Sequence, residues 1–280
     1  MSVRILVDST TDLKEEIQDR FAVQPLTIHF GETEYLDGGT LTHKEFYEKL
    51  VESDTLPTTS QVTPYAFSER FRRETEQGNA VVVITISSKL SGTYQSAVIA
   101  AENFPGQVFV VDSRSVAIGA GILAELALRM ADSGMEAEAI AQQLEEEKQK
   151  IHLIAMLDTL EYLKRGGRIS KTVALAGSML SIKPVISLDG GEVQVIGTAR
   201  GSRKANNLLV KEIQNAGGVD FSKPLLLGYT GLSDVLLQKY IEDSASLWEG
   251  NMEQLPCTIV GSAVGTHAGP GAVAVAFFQG

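Results

Sequence analysis

The chain opens on a short apolar run in "VRILVDST" that gives way to polar residues after Val7. An apolar run of that length without alternation reads as a strand buried on both faces, followed by a loop. "DLKEEIQDRF" then has helical spacing, with Asp12 as N-cap and Leu13, Glu16, Ile17 and Arg20 on one face. "VQPLTIHFGETEYLDG" reads as strand and hairpin, with Gly31 and Gly38 at turns. "THKEFYEKLVES" predicts a capped amphipathic helix that turns Phe46, Tyr47 and Leu50 inward. "LPTTSQVTP" reads as a loop between two prolines. "PYAFSERFRRETEQG" reads as a helix with Pro64 at its first position and Gly78 beyond its end.

"AVVVITI" is the clearest central strand. The loop "SSKLSG" follows it, then a helix with Tyr94, Ala97, Val98 and Ala101 spaced for one face. "QVFVVDS" is a further strand, "AIGAGILAELALRMADSG" a further helix, and "EAEAIAQQLEEEKQK" a charged surface helix. Alternation of strand and helix is the pattern of a doubly wound parallel sheet. From "HLIAMLDT" the texture changes. "TLEYLKRGGRIS" reads as a helix stopped by Gly166 and Gly167, and "TVALAGSMLSI" as a helix of small apolar residues. "KPVISLDGGEVQVIG" is a hairpin turning at Asp189-Gly190. A helix "SRKANNLLVKEIQNAGG", a strand "KPLLLGYT" and one helix "SDVLLQKYIEDSASLW" come next. The end, "CTIVGSAVGTHAGPGAVAVAFF", reads as strand, glycine-rich loop, strand. Helices mixed with hairpins point to an α+β layer. The expectation is an α/β protein of two domains, residues 1–150 holding a parallel-sheet, Rossmann-like layer and residues 151–280 an α+β layer.

Composition narrows the function classes. A chain of 280 residues, 44% hydrophobic and 21% charged, buries a full core. Its formal net charge of -11 argues against a broad nucleic-acid surface, which needs clustered Lys and Arg. Cys257 is the only cysteine, so no intrachain disulfide forms, and its place in "CTIV" reads as a small buried residue. No run reaches the ~18 apolar residues of a membrane span. The start carries no signal-peptide pattern. A cytoplasmic, soluble protein is expected.

Several chemistries lack their motifs: there is no phosphate loop, no paired-histidine or C-x-x-C metal motif and no G-x-S-x-G elbow. "GAGILA" at 119–124 mimics a dinucleotide fingerprint but lies inside a helix pattern, so its glycines read as close helix packing. "GTHAGPG" precedes a strand rather than a helix, so no helix dipole faces an anion there. His267, between Gly265 and Gly269, is a site residue or a turn residue. Three hydroxyl-rich turns follow strands: "DSTTD" at 8–12, "TTSQ" at 58–61 and "SSKLSGTYQSA" at 87–97. In a parallel sheet such turns gather at one edge, where ligands bind. Ser91 and Thr93 donate to an anion or cap the helix. Asp8, Asp12 and Asp112 hold a cation or fill cap and turn roles.

"DSTTD", "TSQ" at 59–61, "SSKLSGTYQSA", "VVDSRS", "LEYLKRGGRI", "IKPV" and "GTHAGPG" together resemble the DegV family in order and spacing, over nearly the whole chain. One departure is that proline follows Gln61 only at Pro64. The resemblance implies a two-domain α/β fold with a lipid tunnel between sheet and helices, lined from 151–280. It implies a bound long-chain fatty acid, no cofactor and no metal. Such proteins serve as the FakB-type subunit of fatty acid kinase, whose separate ATP-binding subunit, FakA, phosphorylates the bound acid for phospholipid synthesis. By that resemblance Thr59, Ser60, Ser91 and His267 hold the carboxylate, with Arg168, Gly92 and Thr93 behind them. Arg200, with Arg203 as the alternative, docks the kinase, and transient contact with a membrane surface is left open. Two other readings stand beside this one. The first is a stand-alone serine hydrolase using Ser91, His267 and an aspartate. The second is a regulatory α/β protein whose loops only cap helices.

Overall fold

The computed structural model describes residues 2–53, 55–169, 182–251 and 254–280. In chain order its first half runs β1 (Ser2–Asp8), α1 (Glu15–Gln18), β2 (Ala22–Gln24), β3 (Thr27–Phe30), β4 (Thr33–Leu36), α2 (His43–Glu52), β5 (Thr58–Ser60) and α3 (Pro64–Glu76). Then come β6 (Asn79–Thr85), α4 (Thr93–Ala101), β7 (Val108–Asp112), α5 (Ala117–Asp132), α6 (Ala137–Glu147), β8 (Ile151–Met156) and α7 (Glu161–Arg165). The chain ends with β9 (Ile182–Asp189), β10 (Glu192–Arg200), α8 (Ser202–Asn215), β11 (Leu226–Tyr229), α9 (Val235–Asp243), α10 (Ala245–Trp248), β12 (Cys257–Ile259), α11 (Ser262–Ala268) and β13 (Val273–Phe278).

The strands form three sheets. A four-stranded, all-parallel sheet has the order β2-β1-β6-β7. A six-stranded mixed sheet has the order β10-β9-β8-β13-β11-β12, and β3 lies between β4 and β5 in a small antiparallel sheet. The apolar runs account for the first sheet: Ala80 to Ile84 are all buried, as a strand covered on both faces requires. Helix α5 lies between the two large sheets, and thirteen of its sixteen residues are buried. Its glycines serve packing, as the sequence suggested. A Cβ on Gly121 would sit 2.0 Å from the Asp12 carbonyl oxygen, and one on Gly119 would sit 2.1 Å from Ser115 Oγ. One face of the six-stranded sheet joins this central core through Leu153, Ala155 and Ala274. The other, through Ile154, Met156 and Val275, packs with Leu209 of α8 and Leu237 of α9.

Several expectations change. Helix α1 is a single short turn, and Asp12 does not cap it: its Oδ1 accepts from Gly261 N at 2.8 Å, a partner 249 residues away. The "TTS" segment is a strand, because Thr58 to Ser60 complete the ladder of β3. The buried face of α4 is Thr93, Ser96, Ala97 and Ala100, offset by one position. The single helix expected over 233–248 breaks at Ser244, whose hydroxyl donates to Tyr240 O at 2.6 Å and accepts from Trp248 Nε1 at 2.9 Å. Cys257 is exposed, not buried. Of the helix predicted for 172–182, residues 172–181 lie outside the described residues, and Ile182 begins β9.

The largest change is at the end, where the expected glycine-rich loop contains α11. Five of its seven residues, Ser262, Val264, Gly265, Thr266 and His267, are weaker helix formers than alanine. Tertiary bonds supply what propensity lacks. The Asp37 carboxylate accepts from Ser262 N at 3.2 Å and Ala263 N at 3.3 Å, beside the Asp12 bond to Gly261 N. These are the backbone N–H groups that a helix start leaves unpaired. Burial, assisted by Asp37 and Asp8, holds the Asp12 carboxyl well above the usual carboxylate range, against the opposing Gly261 N–H. Its Oδ2 is buried without a partner.

A raised carboxyl contributes stability at acid pH that is lost as pH rises from the unfolded value of 3.8 through the folded one. Asp12→Asn keeps the accepting oxygen and is expected to retain most of the wild-type stability at neutral pH. Asp12→Ala is expected to lose about 1–3 kcal/mol by urea unfolding. Equal losses in the two variants would contradict this assignment.

Candidate functional site

A cavity of about 390 Å³ lies between the carboxyl-end loops of the parallel sheet, α11 and one face of the six-stranded sheet. That volume is within the ~300–1,000 Å³ of ligand pockets. Its apolar wall includes Leu153, Ala155, Leu188, Val193 and Ala274, and polar side chains converge elsewhere on its lining. The side-chain alternation of a strand decides which residues face it.

Thr59 is the inward residue of β5, half-buried between the exposed Thr58 and Ser60. Its Oγ1 lies 3.0 Å from His267 Nε2. His267 occupies the last turn of α11, and its ring rests on Gly166, where a Cβ would stand 2.1 Å from Nδ1. Gly269 follows at φ +71°, a left-handed conformation suited to glycine, with its Cα against the Tyr162 ring. Burial first, and then the charge of Arg168, push His267 down to about 4, so the ring is neutral near pH 7. Its Nδ1 is buried without a partner. A neutral imidazole carries one N–H. We assign that proton to Nε2, because a buried unpaired donor is rarer than an under-used acceptor. Thr59 Oγ1 then accepts from His267 and keeps its own proton free to donate.

Ser91 comes from the loop after β6. Its Oγ lies 2.9 Å from Thr93 Oγ1 and accepts from Thr93 N at 3.2 Å, so this side chain pairs with the first N–H of α4 and also borders the cavity, although the N-cap residue itself is Gly92. The N-cap role expected of Ser91 or Thr93 thus falls to Gly92. Thr93 is buried behind it and accepts from Val62 N at 3.4 Å. Gly92 leaves room for the Gln61 side chain, which a Cβ would meet at 2.1 Å, and Gln61 Nε2 donates to Ser96 Oγ at 3.0 Å. Ser60 borders the cavity, but its hydroxyl pairs with His29 Nε2 at 2.7 Å. Arg168 donates from Nε to Leu90 O at 3.2 Å and from a terminal nitrogen to Gly166 O at 2.6 Å. One guanidinium thus ties the Ser91 loop to the seat of His267. Its own affinity for a proton is lowered by burial.

Thr59, Ser60, Ser91, Gly92, Arg168 and His267 all line this one cavity. Arg200 and Arg203 do not: both are exposed, at the end of β10 and in the first turn of α8. The sequence marked Gly166 only as a helix stop, and nothing local shows that it seats a ring a hundred residues later. Asp8, Asp12 and Asp112 do not gather around a cation. Asp8 accepts from Thr10 N at 2.9 Å and Ile86 N at 2.7 Å, and Asp112 from Ser88 N at 3.2 Å and Arg114 N at 2.9 Å. Among the described residues no group of three or more His, Cys, Asp or Glu is placed to hold a metal. The hydrolase arrangement finds no support either: His267 pairs with Thr59 rather than Ser91, and no carboxylate orients its Nδ1. Among the described residues no helix is long and apolar enough to cross a membrane.

A family model described as "Uncharacterised protein, DegV family" matches residues 2–280. A DegV domain-containing protein of Caldanaerobacter subterraneus is 34% identical over 280 residues, covering 98% of each chain. Among solved structures, one described as fatty acid binding of a DegV family protein from Thermus thermophilus superposes with a TM-score of 0.87 at 31% identity, covering 100% of both chains. A stearic acid-binding protein from Eubacterium ventriosum superposes with a TM-score of 0.87 at 26% identity, covering 99% of this chain and 98% of its own.

A depressed histidine contributes stability that is fully present above its unfolded value of 6.5 and is lost as pH falls towards about 4. Comparing urea midpoints of wild type and His267→Gln from neutral to acid pH isolates that loss. The wild type is expected to fall more steeply than the variant between those two values; parallel curves would refute a neutral, buried His267.

Proposed function

The chain belongs to the DegV family, and from that premise we propose that it binds a long-chain fatty acid in the cavity and presents the carboxylate to a separate kinase. The observation that carries this reading is the pairing of an apolar cavity with the Thr59–His267 couple and the Ser91 hydroxyl on its lining. A tail of roughly fourteen methylenes at ~0.8 kcal/mol each offers ~11 kcal/mol before the costs of binding. The carboxylate is the harder problem, since burying a charge without partners is expensive. Thr59 and Ser91 supply hydroxyl donors in place of water. Arg168 stands on the cavity lining with two of its N–H groups committed to carbonyl oxygens. An anion held by neutral donors keeps its nucleophilicity, which a tight ion pair would reduce. That suits attack on a phosphoryl group delivered from outside.

The fatty-acid descriptions of the Thermus thermophilus and Eubacterium ventriosum proteins support the ligand. The kinase is the FakA-type, ATP-binding subunit, acting in the cytoplasm to make an acyl phosphate for phospholipid synthesis. The protein itself performs no catalysis unaided and needs no cofactor. Arg200 and Arg203, exposed and off the cavity, form the docking point on an otherwise acidic protein. Residues 1–150 form the domain carrying the hydroxyl loops and 151–280 the domain lining the tail.

Mass spectrometry of lipid extracted from the purified protein is expected to find a long-chain fatty acid. A lipid-free protein that also ignores added acid would refute the reading. Thr59→Ala with Ser91→Ala is expected to weaken acid binding by at least about tenfold. Arg200→Ala with Arg203→Ala is expected to leave acid binding intact and to slow phosphorylation by the kinase. If that pair weakens binding instead, the docking assignment is wrong.

A further inference from the structure

The register of the six-stranded sheet lines up four residues across four adjacent strands. Ile186 of β9 lies opposite Ala155 of β8, Ala155 opposite Ala274 of β13, and Ala274 opposite Gly228 of β11. All four border the cavity. Directly opposed residues share a sheet face, so this row runs perpendicular to the strands. Strands spaced ~4.8 Å apart make it about 14 Å long.

Side-chain size falls along the row, from isoleucine through two alanines to glycine. The next row on the same face is Leu153, Ala276 and Leu226, which is bulkier. Ala276 is fully buried, whereas Ala155 and Ala274 keep 7% and 8% exposure and border the cavity. The row is therefore a trough in the sheet surface with Leu153 as part of its bank. It closes at β11. Ile118 Cγ2 and Val260 Cγ2 each lie 3.1 Å from where a Cβ on Gly228 would be, so those two side chains fill the space above the glycine. The open floor is Ala155 and Ala274.

We infer that the acyl tail crosses the strands in this trough and that Ala155 and Ala274 determine how long a tail the site accepts. The inference rests on the fatty-acid reading above. Every carbon added to this floor displaces one from the tail, and a leucine in place of an alanine adds three. Opposed pairs across two strands act together, so a bulky residue at either position blocks the same stretch of tail.

The test is a binding series from decanoic to stearic acid, with mass spectrometry of the co-purified lipid. Ala155→Leu and Ala274→Leu are each expected to lose at least about tenfold in affinity for the longest acids while holding the shortest within about threefold. The co-purified lipid is expected to shorten in both. Leu153→Ala, which adds room beside the trough, is expected to move the preference towards longer acids, and it keeps the inference testable if a leucine variant fails to fold. Wild-type binding with an unchanged length profile in these variants would overturn the trough assignment and leave the fatty-acid reading intact. A wild type that binds none of the series would overturn that reading itself.

Discussion

Two buried carboxylates hold the start of α11, and the rest of the site depends on them. Asp12 follows β1 and Asp37 follows β4, yet both bond the backbone N–H groups of residues 261–263. Weak helix formers would not make a seven-residue helix unaided. The acids act by satisfying the orphan donors of the helix start, since burial holds both of them above their ordinary range. The helix then lies flat on α2: a Cβ on Gly265 would meet Tyr47 Oη at 2.6 Å and Phe46 Cε1 at 2.8 Å. Tyr47 in turn donates to Val260 O at 2.9 Å. With its start anchored and its side pressed against α2, α11 has one place to put His267, five residues on from Ser262.

That placement sets the chemistry. The imidazole is wedged on Gly166, near Arg168 and largely buried, so it stays neutral and bonds Thr59. A charged histidine would form an ion pair with an incoming carboxylate. A neutral one only orients a hydroxyl. Arg168 follows the same logic, because it spends N–H groups on the carbonyls of Leu90 and Gly166. Arg168, a cation on the cavity lining, thus works as a strut between two loops. On the fatty-acid reading proposed above, positive charge still lowers the cost of bringing an anion near, while the contacts on it fall to Thr59 and Ser91.

Much of this was legible in the chain and some was not, for physical reasons. Strands buried on both faces are near-continuous apolar runs, so β1, β6 and β7 are plain in the sequence. Capping chemistry is local, so α2 with its Thr42–Glu45 capping box and α3 with Pro64 are plain too. Asp12 misleads because the same residue type caps a neighbouring helix or a distant one, and only the fold chooses Gly261. "TTS" looks like a loop until β3 provides a ladder for it. In α11 the helix is imposed from outside, so no propensity argument finds it. Thr59, Ser91, Arg168 and His267 were recognisable as a set by resemblance to a family. What each one touches was not, since Gly166, Leu90 and Gln61 act through backbone position or through contacts that no spacing reveals.

The cavity and the tight packing of α5 have one origin. Gly119 and Gly121 draw that helix against Ser115 and the backbone of Asp12, and so bring the two large sheets together around it. The cavity lies where α5 begins. There the chain exchanges backbone bonds with the loop after β1: Ala117 N donates to Thr10 O at 2.8 Å and Asp12 N to Ala117 O at 3.3 Å. This exchange needs Ala117 at φ +53°, a left-handed conformation that costs an alanine about 1–2 kcal/mol. Val116 and Ala117 border the cavity directly. The strain at Ala117 is thus balanced by two backbone bonds, at the place where the start of α5 lines the same space as Ala155 and Ala274.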